Sequence, residues 1–135
     1  MLTRPQLSAC RQRVHNLVEK IQFLSSRCLF ADELIKGSPA EVYRKCGRPD
    51  CKCAAGGINR HGPYKVIQVT RGKRSRQICL RAGQDKFWQL AQNYQHQVEK
   101  YLELKRSCSE LLKFVNEVIA KRVVEFPENE SKQGR

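Results

Sequence analysis

The sequence predicts an α+β fold, mostly helical, in which two long helices form an antiparallel hairpin with a small module inserted between them. Two heptad-like stripes of apolar residues predict the helices. A segment rich in Gly and Cys, followed by β-type residues, predicts a Cys/His zinc module with a two-stranded basic β-ribbon. The predicted organisation is a heptad helix at 1–36, the module at 37–83, a long helix at 84–124 and a disordered tail at 125–135.

The positive charge of the chain limits the classes of partner that it is expected to bind. Its 135 residues include 26 Lys and Arg against 13 Asp and Glu, a net charge of +13. Residues 37–86 hold most of the surplus, with 12 basic and 3 acidic residues and a net charge of +9. Such a surplus predicts an anionic partner, which could be nucleic acid, an acidic protein or an anionic membrane.

Other features of composition favour a cytoplasmic protein that does not enter a membrane. No apolar run approaches the roughly 18–20 residues of a membrane span, and the first residues lack the apolar region of a signal peptide. The seven cysteines are an odd number. In a reducing compartment they are not expected to form a disulfide framework.

Signals at both ends define the first predicted helix. Thr3 followed by Gln6 has the spacing of a capping box, and Pro5 suits the first helical turn. Lys36-Gly37 predicts the end, because Gly adopts the left-handed C-cap conformation. Between these signals apolar residues recur every three or four positions. They are Leu7, Cys10, Val14, Leu17, Ile21, Leu24, Cys28, Ala31 and Ile35.

The last predicted helix begins near Asp85, a good N-cap residue. Its apolar stripe is longer than the first helix can cover, so the sequence also allows a dimerising coiled coil or a helical protein partner. Cys10, Cys28 and Cys108 lie on the two stripes, where free cysteines commonly serve as small buried hydrophobes. The second stripe consists of Phe87, Leu90, Tyr94, Val98, Tyr101, Leu104, Cys108, Leu111, Val115 and Val118.

Alternating residues predict a β-hairpin between the helices. Two runs rich in β-branched residues, 64–71 and 74–81, flank Gly72-Lys73. Gly at the first of two loop positions is typical of a type II′ turn. That turn pairs Arg71 with Arg74, Val69 with Arg76, Ile67 with Ile78 and Lys65 with Leu80.

The tip of this ribbon carries Arg71, Lys73, Arg74 and Arg76. Like charges that face each other across a hairpin oppose folding. We therefore interpret the tip as a surface that contacts phosphates, in preference to a solvated turn kept soluble by its charge. The predicted nucleic-acid interface also includes three cations of the module, Arg48, Lys52 and Arg60.

The most specific pattern is C-x4-C-x-C-x7-H, formed by Cys46, Cys51, Cys53 and His61. Three thiolates and one imidazole complete a tetrahedral zinc shell without an open position. Cys79 is a rival fourth ligand. Two further interpretations remain open: free surface thiols, and a redox pair of Cys51 and Cys53, whose close spacing would strain a disulfide.

The same residues carry a resemblance to a known family. The segments Tyr43–Ala54 and His61–Tyr64, with Gly57 between them, contain the pattern C-G-x-P-x-C-x-C…G…H-G-P-Y. This pattern resembles an uncharacterised family, a domain of unknown function found in small bacterial and archaeal proteins. The resemblance covers about residues 36–120, brings no activity, and implies that His61 completes the ligand set in preference to Cys79.

The sequence does not predict an enzyme. The module has only Glu41, Asp50 and Asp85, whereas nucleases and phosphoryl-transfer enzymes need clustered carboxylates to hold metal ions. The favoured hypothesis is a zinc-stabilised nucleic-acid-binding protein, an accessory or regulatory factor. The aromatic residues form no stacking ladder for single strands, which favours duplex or structured nucleic acid. Within that class, duplex DNA is the favoured partner over RNA. The alternative is a non-enzymatic interaction subunit or adaptor that binds a partner through the helical stripe.

Overall fold

A computed structural model of the chain describes residues 2–29 and 32–127. They form an α+β structure of two helices and a three-stranded antiparallel sheet. The chain divides into two compact units, one built from residues up to Cys28 with those from Tyr101 onward, and the other from Leu29–Lys100. The elements are α1 (Arg4–Arg27), β1 (Ser38–Arg44), β2 (His61–Arg71), β3 (Arg74–Cys79) and α2 (Asp85–Ala120).

The predicted capping box at the start of α1 is confirmed. The backbone N–H of Thr3 donates to Gln6 Oε1 at 2.8 Å, and the N–H of Gln6 donates to Thr3 Oγ1 at 3.4 Å. These reciprocal bonds satisfy two backbone donors that a helix start leaves without partners. Pro5 lies in the first turn, as predicted.

The prediction that the first helix runs to residue 36 is wrong, because α1 ends at Arg27. The hydroxyls of Ser25 and Ser26 donate to backbone carbonyls three or four residues earlier, at 2.7–3.0 Å. Such bonds compete with the helical ladder. Cys28 caps the helix, sharing its N–H between two carbonyls of the last turn. Ala31, predicted to continue the stripe, lies outside the described residues.

Gly37 is not a helix cap but a point of close approach to the sheet. A Cβ atom at this position would lie 2.5 Å from Ile67 Cγ2 and 3.2 Å from the carbonyl oxygen of Gln68. Nearby, the N–H of Ile35 donates to the carbonyl of Leu90 at 3.2 Å. The segment before β1 is therefore held between β2 and the first turns of α2.

Within the first unit, α1 and α2 run antiparallel, as predicted. Arg13 pairs with Glu110 at 3.2 Å, and Lys20 pairs with Glu103 at 3.5 Å. Seven residues forward along α1, from Arg13 to Lys20, correspond to seven residues backward along α2, so the helices are antiparallel. These pairs are about half exposed and contribute little free energy, so they report the register rather than hold the helices together.

Apolar contact holds this helix pair. Leu17 and Leu24 of α1 are buried, as the predicted stripe requires. On α2 the most shielded residue in this unit is Ser107, at 3% exposure, whereas Val115 of the predicted stripe is 37% exposed. Cys108 is half-buried.

The predicted two-stranded ribbon is a three-stranded sheet, in the order β1-β2-β3. β1 pairs antiparallel with β2, from Ser38 opposite Gln68 to Arg44 opposite His61, with a bulge after Val42. β1 contains Pro39, which lacks the N–H of a normal ladder residue. Proline is tolerated here because β1 is an edge strand.

The predicted register of the β2–β3 hairpin is confirmed. Arg71 pairs with Arg74, and Ile67 pairs with Ile78. Gly72 has φ of +61°, while no non-Gly residue in the described chain has positive φ. A positive φ at the first turn position alone is the signature of a type II′ turn.

The sheet and the first turns of α2 form the core of the second unit. Val66, Ile67 and Ala91 are buried there. Trp88 Nε1 donates to the carbonyl of Ala40 at 3.4 Å. Lys65 pairs with Asp85 at 3.0 Å and lies over the Trp88 ring. Long-range contacts thus fix where α2 begins.

The remaining expectations concern the membrane and the tail. In the described part of the chain, no helix is both long enough and apolar enough to cross a membrane. The predicted disordered tail, 125–135, falls outside the described residues from position 128 onward.

Replacing Leu24 by Ala should lower the free energy of unfolding by about 2–5 kcal/mol, because Leu24 is 2% exposed and its removal leaves a cavity. Leu29→Ala is the matched control, since Leu29 is 84% exposed and should change stability little. Urea denaturation followed by circular dichroism measures both. Equal effects of the two substitutions would contradict the helix packing described here.

Candidate metal centre and basic groove

The connection between β1 and β2 folds without an apolar core. It consists of tight turns, including 3-10 turns at Lys52–Ala55 and Gly57–Asn59. Cys53 is its one buried hydrophobic side chain, whereas Ile58 is fully exposed. Backbone bonds from Cys51 to Arg48 and from Ala54 to Cys51 shape the turns. Hydrophobic burial therefore contributes little to holding this loop in place.

The loop brings together the four predicted ligands, Cys46, Cys51, Cys53 and His61. One ligand atom from each lies within 4.8 Å of all the others. Cys46 Sγ lies 3.3 Å from Cys53 Sγ, and Cys51 Sγ lies 3.2 Å from His61 Nε2. The cluster could hold a metal ion. Arg44 pairs with His61 at the last position of the β1–β2 ladder, so the cluster lies at the end of these two strands.

The spacing of these atoms fits a four-coordinate ion. Ligand atoms about 2.3 Å from a tetrahedral metal lie roughly 3.7 Å apart. The two shortest separations in the cluster, 3.2 and 3.3 Å, are slightly smaller, and the outer bound of 4.8 Å is larger. Shifts of less than an ångström or so in side-chain position would therefore produce a regular shell.

Gly62 explains part of the H-G-P-Y pattern. It has φ of +139°, and a Cβ atom there would lie 2.8 Å from the carbonyl oxygen of Val42 and 3.0 Å from Tyr43 Cδ1. Only glycine fits both the conformation and the space. Gly62 thus lets β2 approach the bulge of β1 immediately after the ligand His61. The next peptide bond, Gly62–Pro63, is cis.

Hydrogen bonds within the cluster favour a thiolate at Cys46. A bond from the Arg48 backbone and another from the Cys53 thiol lower the pKa of Cys46 from 9.0 to about 6, against a smaller opposing effect of burial. The pKa of Cys53 is raised. A hydrogen bond from the Cys46 backbone N–H lowers the pKa of Cys53, but burial and the neighbouring Cys46 and Cys51 thiols together have a larger, opposite effect. Thiolates are the form that binds metals.

Cys79 lies apart from the cluster. It pairs with Val66 on β2, as the predicted register requires, and its Sγ accepts a hydrogen bond from Arg44 Nη1 at 3.1 Å. Arg44 also donates to Gln77 on the same strand. Among the described residues, the group of potential metal ligands is completed by His61.

The geometry also bears on the redox interpretation. The close sulfur pair is Cys46 with Cys53, whereas the described partner of Cys51 Sγ is His61 Nε2. Because all three sulfurs lie within 4.8 Å of one another, these contacts do not single out Cys51 with Cys53 as a redox pair.

A groove of about 960 Å³ lies along the tip of the β2–β3 hairpin. Its apolar lining comes from Ile35, Val69 and Ile78. Its basic lining consists of Lys36, Arg71, Arg74 and Arg76. Lys73 lies in the turn at the same end of the hairpin.

The cations of this tip have no acidic partners in the described ranges, 2–29 and 32–127. The ion pairs found there include those of Arg13, His15, Lys20 and Lys65. Arg71 instead faces Arg74 across the ladder. The groove therefore presents uncompensated positive charge to solvent.

The other predicted contact residues lie at the opposite end of the sheet. Arg48 lines a pocket of about 520 Å³ with three of the potential ligands. Lys52 and Arg60 are exposed in the same loop. β2 has 11 residues between His61 and Arg71 inclusive, so roughly 33 Å separates its two ends.

Sequence reasoning missed the contribution of Lys36 to the groove. Lys36-Gly37 has the sequence of a helix end, so it gives no indication that the chain runs extended beside the hairpin. The clue was Ser38-Pro39, because a residue pair ending in proline favours extended backbone.

Comparisons with known proteins gave one finding. The family model described as Domain of unknown function (DUF6788) matches residues 7–87. The match begins in the first turn of α1, includes the whole Cys/His loop and the basic hairpin, and ends in the first turn of α2. No curated protein and no solved structure matched the chain.

In metal-free, reduced protein, iodoacetamide should modify Cys46 before Cys53. Cys46 is exposed and has a pKa of about 6, so it is a thiolate at pH 7.5, whereas the pKa of buried Cys53 is raised. Its alkylation rate should rise with pH to a plateau, with a midpoint near 6. Peptide mass spectrometry at several pH values measures both rates. A midpoint at the ordinary thiol pKa would mean that these hydrogen bonds do not persist in the metal-free loop.

Proposed function

The chain belongs to the DUF6788 family, a domain of unknown function, and we propose that it acts as a zinc-stabilised nucleic-acid-binding protein. In this proposal the zinc ion holds the β1–β2 loop, and the basic groove contacts the phosphates of duplex DNA. The protein serves as an accessory or regulatory factor and carries out no chemical step.

The chemistry of the cluster supports zinc as the metal. Three thiolates and one imidazole are soft and borderline ligands, which suit zinc far better than magnesium or calcium. The set has no open coordination position, as in structural zinc sites. The loop that supplies three of the ligands has little core of its own, and Cys53 is its one buried hydrophobic side chain. Metal binding would therefore supply free energy for folding the loop.

The basic groove is the observation that carries the nucleic-acid proposal. It joins four cations from two separate segments: Lys36 before β1, and Arg71, Arg74 and Arg76 on the hairpin. Their mutual repulsion disfavours the folded tip, so their convergence is better explained by an anionic ligand. Arginine binds phosphate oxygens through a planar set of donors.

The shape of the cationic surface favours a duplex. A two-stranded β-ribbon fits the major groove of B-DNA, and the hairpin has this form. No aromatic residue appears among the described residues that line the basic groove, whereas proteins that bind single strands stack bases on aromatic rings.

The loop cations extend the proposed contact. Arg48, Lys52 and Arg60 lie roughly 33 Å from the hairpin tip along β2. One turn of B-DNA is about 34–36 Å long. A duplex that follows the sheet could therefore meet the tip and the loop with phosphates about one turn apart.

The proposed absence of catalysis is supported by the ligand chemistry. Within the described ranges, the group that could hold a metal contains three cysteines and one histidine, and no carboxylate cluster accompanies it. Of the three acidic residues at positions 37–86, Asp85 is paired with Lys65.

A second function, an interaction subunit or adaptor, is favoured by a different observation. Several apolar side chains of α2 face solvent, including Leu112 at 71% and Ile119 at 55% exposure. An amphipathic partner helix or a second copy could cover them. In that case the positive charge would serve an acidic protein or a larger nucleoprotein complex.

Protein purified under reducing conditions should contain about one zinc ion per chain, because four ligands close one shell. Cys53→Ser should lose the metal and disorder the loop, while helical circular dichroism from the α1–α2 pair partly survives. Cys79→Ser and Cys108→Ser are matched controls and should keep the zinc. Elemental analysis measures the content. A folded, reduced sample without metal would refute the zinc proposal.

Replacing Arg71, Lys73, Arg74 and Arg76 by Ala should weaken duplex binding and flatten its salt dependence. Each lost phosphate contact reduces the slope of log K against log salt by about 0.9, so the slope should fall by about two to four units. Stability should stay constant or rise slightly, because Arg71 and Arg74 no longer repel each other. Fluorescence anisotropy over a salt series measures the slope.

The matched control removes the same charge from the other unit, by changing Lys105, Arg106, Lys113 and Lys121 to Ala. It should reduce affinity much less than the hairpin variant. Equal losses would mean that the charge acts only as a diffuse field. If neither variant weakens binding to DNA or RNA, nucleic acid is the wrong partner.

A further inference from the structure

An open groove of about 580 Å³ lies between the helices of the first unit. The N-terminal half of α1 and the C-terminal end of α2 form its walls. Its floor is apolar and incompletely covered, since Val18 and Val115 are each 37% exposed and Ile119 is 55% exposed. The remaining apolar lining residues are Leu7, Cys10, Val14 and Val118.

The rim of this groove is basic. Arg11 and Arg122 line it, together with His15, which lies 3.2 Å from Glu19. In the described part of the chain, no carboxylate pairs with Arg11 or Arg122. A ligand for the groove therefore needs apolar side chains for the floor and negative charge for the rim.

The chain carries a segment with that chemistry directly after α2. Val123, Val124 and Phe126 are 70–82% exposed, an uncommon density of uncovered apolar side chains. Between them lies Glu125, and the sequence continues with Glu128 and Glu130, without a basic residue from position 123 to 130.

The lengths also match. The α1 wall runs from Leu7 to Val18, about 16 Å at the helical rise of 1.5 Å per residue. Four extended residues, Val123–Phe126, span about 13 Å. One such segment would therefore fill most of the groove.

The occupant comes from another molecule, because the segment leaves its own groove at the rim. Arg122 lines the groove, and its N–H donates to the carbonyl of Ile119 at 2.9 Å, which keeps the chain in a helical turn. To cover its own groove, the chain would have to reverse direction at once after Arg122. The exposed positions of Val124 and Phe126 show that it does not.

We infer that two copies of this protein exchange their C-terminal segments, each placing Val123–Phe126 in the basic-rimmed apolar groove of the other. The exchange makes two identical contacts related by a two-fold axis, as in most homodimers. Glu125 of each copy then lies near Arg11 and Arg122 of its partner. This inference is independent of the metal and of nucleic-acid binding.

Sedimentation velocity on the full chain, from low micromolar to about 100 µM, tests the exchange. The parent protein should be a dimer. Val124→Asp with Phe126→Asp should weaken dimerisation at least about tenfold, because two apolar side chains lose their burial. Val18→Asp in the groove should do the same while keeping helical circular dichroism. Leu29→Asp with Ile58→Asp is the control, since both positions are highly exposed outside the groove.

Two further measurements separate exchange from other modes of association. A mixture of the tail variant with the groove variant should recover a mixed dimer, because one intact segment meets one intact groove. A synthetic peptide of residues 123–130 in excess should dissociate the parent dimer. A monomeric parent, a tail variant that dimerises like the parent, or an equal loss in the control would each overturn the inference.

Discussion

Three thiols and one imidazole meet where β1 ends and β2 begins, and the loop between these strands brings them together. The intervening loop buries one hydrophobic side chain, Cys53, so hydrophobic burial cannot be what folds it. Fixing the loop fixes the start of β2, and β2 is the central strand to which both neighbours are hydrogen-bonded. The register of β3, and with it the position of the basic tip, is set by the Gly72-Lys73 turn that joins β3 to the same strand.

Local chemistry made part of this structure predictable. The capping box at Thr3, the type II′ turn at Gly72 and the spacing of the Cys/His cluster are each determined by a few residues close in sequence. Their geometry is therefore readable without knowledge of the fold. The β2–β3 register followed from the turn alone, because a two-residue loop leaves no freedom in the pairing.

The missed features depend on contacts that are distant in sequence or on weak local preferences. β1 contains Pro39 and a bulge, so its sequence lacks the regular alternation of apolar and polar residues that would predict a strand paired with β2. The apolar stripe of α1 continues in sequence beyond Arg27, but the Ser25 and Ser26 hydroxyls compete for the helical carbonyls. Lys36 reaches the basic groove only because Gly37 packs on Ile67, a contact that no spacing rule contains.

The close approach of Gly37 to the sheet also bears on the thermodynamics of recognition. One side of Gly37 rests against Ile67, and the preceding Ile35 is hydrogen-bonded to α2. The backbone that carries Lys36 is therefore ordered before any ligand arrives. If the groove binds phosphate as proposed, Lys36 would lose less conformational entropy than a cation on a loose linker, because folding has already ordered its backbone. Preorganisation of this kind increases affinity without adding a contact.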